Sequence, residues 1–259
     1  IPVFLIFKQP DLGTALTLMP VLFGMLFIAR ARTRYIILVI FLGIAAIPVL
    51  WFNMKVYQKQ RVLEFLTPGQ RKIALLFMKQ SEKEEIKNRL DPQNKYNLEE
   101  AISRIGAGWN SEQSMIAVGS GGLYGRGWLS GPQTQREFLP SSHTDFIFAV
   151  LAEEWGFLGS LFVITLYYLL VYSSIRIACE AQDFFGHLLG MGIAILFIAH
   201  IVINIFMTIN LLPITGLPLP FLSYGGSSMW TFMVALGLLE SIHSRRHYFK
   251  AGKYSLQKT

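Results

Sequence analysis

Five stretches of this chain are long and apolar enough to cross a lipid bilayer, and nothing else in the sequence constrains its fold as tightly. They cover residues 12–29, 35–52, 145–173, 186–210 and 222–243, each at least as long as the roughly 18 residues that a helix needs to traverse the hydrocarbon core. Inside a membrane every backbone N–H and C=O must be satisfied by the protein, so segments of this length are helices. Composition agrees, with 53% of 259 residues hydrophobic and 15% charged, against about 25% charged in ordinary soluble domains. The predicted fold class is all-α, a polytopic membrane helix bundle. Ile1 to Phe7 reads as the tail of a further span, and there is no signal-peptide pattern. The sequence reads as the C-terminal part of a longer membrane protein, a single membrane domain over 1–259.

Short loops orient the bundle. Arg30, Arg32 and Arg34 separate the first two spans, Arg176 follows the third, and Arg245, Arg246, Lys250, Lys253 and Lys258 follow the last. An even number of crossings lies between these clusters, so they share one face, which the positive-inside tendency makes cytoplasmic. The long segment 53–144 then lies on the extracytoplasmic side. Its thirteen Lys and Arg do not overturn this, because long loops translocate largely regardless of charge. The formal charge of +7 is therefore a topology signal. No basic surface interleaved with aromatics points to nucleic acid. Cys179 stands alone and fits neither an internal disulfide nor a metal spacing.

Ionisable chemistry concentrates in FLPSSHTDFIFAVLAEEWG, residues 138–156. A polar turn delivers His143, Thr144 and Asp145 to the mouth of an apolar helix, and Glu153 and Glu154 lie within that helix. Carboxylates at such depth usually face a bundle interior or a wet cavity. Two readings of Asp145 stay open here. Ser142-x-x-Asp145 fits a capping box, with the acid satisfying a helix N-terminus, or the acid is a catalytic group. Asp11, following Pro10 at the start of a span, reads as a dipole-complementing cap. Glu153 and Glu154 lie about 12 Å along the helix from Asp145 at 1.5 Å per residue, and read as packing or supporting partners.

The outer loop has unlike parts. A charged stretch over about 70–104 contains two helix-like pieces broken at Asp91–Pro92, the first amphipathic through Ile73, Leu76 and Phe77. It reads either as a membrane-surface element or as a solvated hairpin. Residues 106–131 are glycine-rich. They read as a tight irregular loop using positive φ, or as an anion-binding nest of N–H groups aided by Arg126. Residues 211–228, with Pro213, Pro218 and Pro220, cannot continue a helix. Irregular backbone at membrane depth should border a cavity, which makes Ser223 and Tyr224 candidates for substrate contact beside His143, Thr144 and Glu153.

Five separated motifs, KQPDLGTAL (8–16), YQKQRV (57–62), QSMIAVGSGGLYGRGW (113–128), FLPSSHTDFIFAVLAEEWG (138–156) and LPITGLPLPFLSYGGSS (212–228), resemble in order those of the SEDS family of bacterial cell-wall proteins. GLPLP and the TQREFLP approach to HTDF resemble its elongation branch more than its division branch. The resemblance covers nearly the whole chain outside the charged insert. It implies a ten-helix fold of which this chain holds the end of the fifth helix through the tenth. Two departures stand out: the insert is longer than usual, and Ser141–Ser142 replaces a more charged pair.

The resemblance further implies a peptidoglycan glycosyltransferase that polymerises lipid II, with Asp145 as the essential acid and undecaprenyl pyrophosphate as leaving group. Lys59, Arg61 and Arg126 are candidate partners for the departing pyrophosphate. A divalent cation, Mg or Mn, would be held in part by substrate phosphates. The implied partners are a class B penicillin-binding protein as transpeptidase and other membrane proteins of the elongation machinery. The 259-residue stretch alone is expected not to polymerise. A lipid-precursor flippase and a non-catalytic scaffold are the rival classes.

Overall fold

The computed structural model describes residues 12–53, 56, 59, 62–63, 66, 73–91, 93, 95–98, 101, 108–132 and 143–256. Every regular element among them is helical: α1 (Leu12–Ile28), α2 (Thr33–Asn53), α3 (Gln80–Leu90), α4 (Gly108–Ser120), α5 (Ile147–Cys179), α6 (Phe184–Thr208) and α7 (Gly226–Leu256). All five predicted spans are helices, and α5 and α6 are each long and apolar enough to cross a membrane.

Local chemistry explains the turns. α1 ends with Arg30 in the left-handed region (φ 52), and Ala31 N–H and Arg30 N–H reach back to Leu26 O and Phe27 O. This motif satisfies the carbonyls that a helix end orphans. α6 ends the same way, with Asn210 at φ 58 and Leu211 and Asn210 donating to Phe206 O and Met207 O. Asp183 starts α6 by accepting from Gly186 N–H at 2.7 Å.

The core lies where α5, α6 and α7 meet. Phe148, Val163 and Tyr167 of α5 pack on Ile193, Phe197 and Ile201 of α6, Phe232, Ala235 and Leu239 of α7, and Leu219. Phe197, fully buried, stands 5.9 Å from the Phe221 ring and 6.0 Å from that of Phe232. The other face of α5 leaves Phe157, Phe162, Tyr168, Leu169 and Tyr172 exposed, an arrangement suited to lipid.

α5 is two helices in series. Gly156 breaks it with φ 67, ψ −161, and the glycine loop 121–131 fills the break. Arg126 and Gly127 N–H donate to the carbonyls of Glu153 and Glu154, while Phe157 and Leu158 N–H donate to Gly122 O and Leu123 O. One loop thus closes the end of the first helix and the start of the second. The backbones touch so closely that a β-carbon on Gly156 would collide with the amide nitrogen of Gly125, and one on Gly125 with Glu154 O.

The expected tight loop with positive φ holds for 121–131, where Gly122, Gly125 and Gly127 have φ of 57, 79 and 97. Residues 108–120 are instead α4, which packs through Ala117 against Phe146, Ala149, Val150 and Met207. The anion nest fails, since the N–H groups of Gly125, Arg126 and Gly127 are taken by the carbonyls of Gly121, Glu153 and Glu154.

The charged insert shares a small core with the segment before it and the end of α2. Leu63, Met78 and Ile86 are buried, packed against Trp51, Leu75, Leu90 and Leu98. α3 stops at Asp91, as expected for the break before Pro92, and the Asp91 carboxylate accepts from Tyr96 N–H. Ile73, Leu76 and Phe77 remain exposed.

Candidate active site

The turn 143–146 precedes α5, whose first helical residue is Ile147 and whose N-cap, Phe146, carries no side-chain cap. Asp145 therefore does not stand at the third helical position that the Ser142-x-x-Asp145 capping box requires. Ser142, like Asp11 and Arg61, lies outside the described residues.

Three successive carbonyls of this turn are held by groups far away in sequence. His143 O accepts from Tyr224 N–H at 2.9 Å. Thr144 O accepts from Ser223 Oγ at 2.6 Å, and that hydroxyl in turn accepts from Leu219 N–H at 2.7 Å. Asp145 O accepts from Asn204 Nδ2 at 2.9 Å. The proline-rich segment is secured from the membrane helices in the same manner. Leu217 O accepts from Asn204 Nδ2 at 2.7 Å, Pro220 O accepts from Tyr167 Oη at 2.7 Å, and His200 Nδ1 lies 3.3 Å from Pro218 O. Proline removes N–H donors but leaves carbonyls, and in an apolar setting each needs a donor. Tyr, Asn and His inside otherwise apolar helices supply them.

A mainly apolar groove of about 610 Å³ opens beside the turn, with His143, Ile147, Ser223, Tyr224 and Met229 in its wall. His143 and Tyr224 are exposed, Thr144 and Asp145 half-buried, and Ser223 buried. Asp145 is not part of the groove wall. Its carboxylate faces Gly216, where Oδ2 lies 3.6 Å from the position a β-carbon would take. Gly216 has φ 71, and Phe221 has φ 62, a left-handed conformation that is an outlier for a bulky residue. Strain of this kind gathers at functional sites.

The structure gathers His143, Thr144, Asp145, Ser223 and Tyr224 and places Glu153, Arg126 and Lys59 elsewhere. Glu153 and Glu154 are buried at the break in α5. Glu154 Oε1 accepts from Leu129 N–H at 3.2 Å, and Glu153 packs on Gly131. Arg126 is exposed on the glycine loop, with Nε donating to Ser120 O at 3.0 Å. Lys59 is almost fully buried, its Nζ 2.7 Å from Glu82 and 5.9 Å from the Trp51 ring centre. It belongs to the insert's core and not to the groove wall. Burial pushes the Glu82 carboxyl up, but hydrogen bonds from Lys59 and the Lys79 N–H, with both ammonium charges, prevail and hold it below the usual carboxylate range. Among the described residues no three His, Cys, Asp or Glu side chains gather as metal ligands.

Sequence reasoning missed Asn204 and Tyr167. The available signal was polarity: an amide and a phenol within runs of apolar residues, where such groups need a partner.

A family profile described as "Cell cycle protein" (FTSW_RODA_SPOVE) matches residues 1–248. The peptidoglycan glycosyltransferase MrdB of Escherichia coli (strain K12) is 40% identical over 246 residues, 95% of this chain and 58% of MrdB. The peptidoglycan glycosyltransferase RodA of Treponema pallidum (strain Nichols) is 48% identical over 149 residues, 58% of this chain and 34% of that protein. A chain in a solved peptidoglycan synthase complex, described for its coordination of polymerization and crosslinking, superposes with TM-score 0.62 at 31% identity. The match covers 94% of this chain and 59% of that one. This chain thus spans a little under three fifths of MrdB. The fold, the ordered motifs and the profile agree: the chain belongs to the FtsW/RodA/SpoVE family of membrane proteins, the SEDS proteins whose motifs it carries.

Proposed function

We propose that the protein carrying this chain is a peptidoglycan glycosyltransferase that polymerises lipid II at the outer face of the bacterial cytoplasmic membrane. The observation that carries this reading is the Asp145 turn. The turn that bears this acid at a helix mouth is held through three of its own carbonyls, and an apolar groove opens beside the turn. A lipid-linked sugar needs that pairing, with a polar reacting end beside a surface for its prenyl tail.

The sugar hydroxyl of one lipid-linked disaccharide attacks the anomeric carbon of another. Asp145 takes the hydroxyl proton as the new C–O bond forms, and a base must lie within hydrogen-bond reach to do so. The old C–O bond breaks with inversion, and undecaprenyl pyrophosphate leaves with the bonding pair. Preorganised positive charge stabilises that departure. We assign Arg126, exposed near the break in α5, and Arg61 to this role, and Lys59 to the insert fold through Glu82. His143 and Tyr224 are assigned to substrate contact, and Thr144 and Ser223 to holding the turn. The activated linkage supplies the driving force, so no nucleotide is required. With the basic clusters cytoplasmic, the loop 53–144 faces the compartment where glycan is built. A class B penicillin-binding protein is the partner this reading expects, since crosslinking is a separate chemistry.

The test is polymerisation of lipid II by the purified intact protein. Glycan chains should form, and Asp145→Asn should lower turnover about 100-fold or more. Relocation of lipid II across a bilayer without chain growth would instead identify a transporter. Full activity in the Asn variant would remove Asp145 from the chemistry.

A further inference from the structure

α6 is an apolar helix with a carboxamide near its outer end. Asn204 is fully buried, and both hydrogens of its Nδ2 are committed, one to Asp145 O at 2.9 Å and one to Leu217 O at 2.7 Å. Turning the amide over would place its oxygen against two carbonyl oxygens, so the assignment follows from the contacts. In this orientation Asn204 Oδ1 is buried and meets no donor. A buried acceptor left unmet is unfavourable, so what keeps an amide at this position is the pair of bonds its hydrogens make. The residue is therefore poorly explained as packing. What it contributes is a fixed distance between two pieces of chain.

Those two pieces bracket the acid. One bond holds the backbone of Asp145 itself. The other holds Leu217, directly after Gly216, the residue that the Asp145 carboxylate faces. A single side chain therefore sets both walls of the space in which the carboxylate lies. Ser223 holds the neighbouring carbonyl of Thr144 from the proline segment, and Tyr224 N–H holds that of His143.

We propose that Asn204 is a positioning residue for Asp145, locking the acidic turn to the proline segment so that the carboxylate keeps its aim at the reacting hydroxyl. The inference rests on Asp145 being the base. A misplacement of about 1 Å at a reacting group can lower rate about 100-fold, and the loss should appear in turnover and not in substrate affinity.

The experiment compares the intact wild-type protein with Asn204→Leu, Asn204→Ser and Asp145→Asn, measuring lipid II polymerisation at varied substrate and thermal unfolding in detergent. The leucine variant leaves Asp145 O and Leu217 O without their donor and should unfold below the wild-type temperature, while its folded molecules show kcat lowered about 10- to 100-fold and KM within about threefold. A kcat within twofold of wild type overturns the inference. So does a leucine variant that loses stability while each folded molecule keeps full turnover, because the role would then be structural. If the leucine variant does not fold, Asn204→Ser, too short to reach both carbonyls, is read in its place, and its full turnover overturns the inference. If Asp145→Asn stays active, the reading of the site falls and this inference with it. If Asp145→Asn is inactive while Asn204→Leu is fully active, the inference alone falls.

Discussion

Ser223 uses one oxygen for two purposes, donating to Thr144 O and accepting from Leu219 N–H. Ser223→Ala strands a buried N–H and removes the donor from a carbonyl in the acidic turn, a loss of about 1–3 kcal/mol. Thermal unfolding of the purified protein should show a lower midpoint, and Ser223→Gly should not recover it. The sequence made Ser223 a candidate through its place after the prolines, and the structure gives it a definite partner. Asn204 was not legible in the same way. Its two acceptors lie 59 and 13 residues away, and no local spacing relates an amide in an apolar helix to a turn that distant. The capping pattern at Ser142–Asp145 misled for the opposite reason. Local spacing was satisfied, but the helix starts at Ile147, because the turn's carbonyls are claimed by Tyr224, Ser223 and Asn204.

At the scale of elements, the break in α5 gives a sharp expectation. Gly156→Ala places a β-carbon against the Gly125 backbone at a positive φ, which should destabilise by about 2–4 kcal/mol. Hydrogen exchange should then rise at Phe157 and Leu158, whose N–H groups bridge to the loop. The five long apolar helices were legible because length and hydropathy act locally, whereas the break was not. A single glycine within an apolar run has no helical signature of its own, and its partner loop lies some thirty residues earlier. The insert carries a second expectation. Glu82 has its carboxyl held below the ordinary value by Lys59 and Lys79, so its folded form binds a proton less readily than its unfolded form. The stability it adds is complete above the usual carboxylate range and is lost as pH falls through the lowered folded value. Protection of α3 amides should fall in that acid window, and Glu82→Ala, which leaves the buried Lys59 charge unpaired, should cost about 2–3 kcal/mol at neutral pH.

For the molecule as a whole, the contrast is between the α5–α6–α7 core and the apolar surface around it. Phe197→Ala opens a cavity where three aromatic rings meet and should cost about 3–5 kcal/mol. It should also disturb the proline segment, since Phe221 keeps its left-handed conformation against that ring. Leu169→Ala, on the exposed face of α5, should change the midpoint by less than about 1 kcal/mol equivalent, since lipid can replace the lost contacts. Unfolding of the two variants side by side checks both expectations. Composition could announce a membrane bundle but could not say which faces meet protein, since leucine and phenylalanine serve both. The glycine loop has a mechanical corollary at this scale. Four amide bridges rivet residues 121–131 across both sides of the gap in α5, so the angle between the two halves of α5 is set from outside the helix. Any protein that grips that loop would steer the segment bearing the acid without touching the acid.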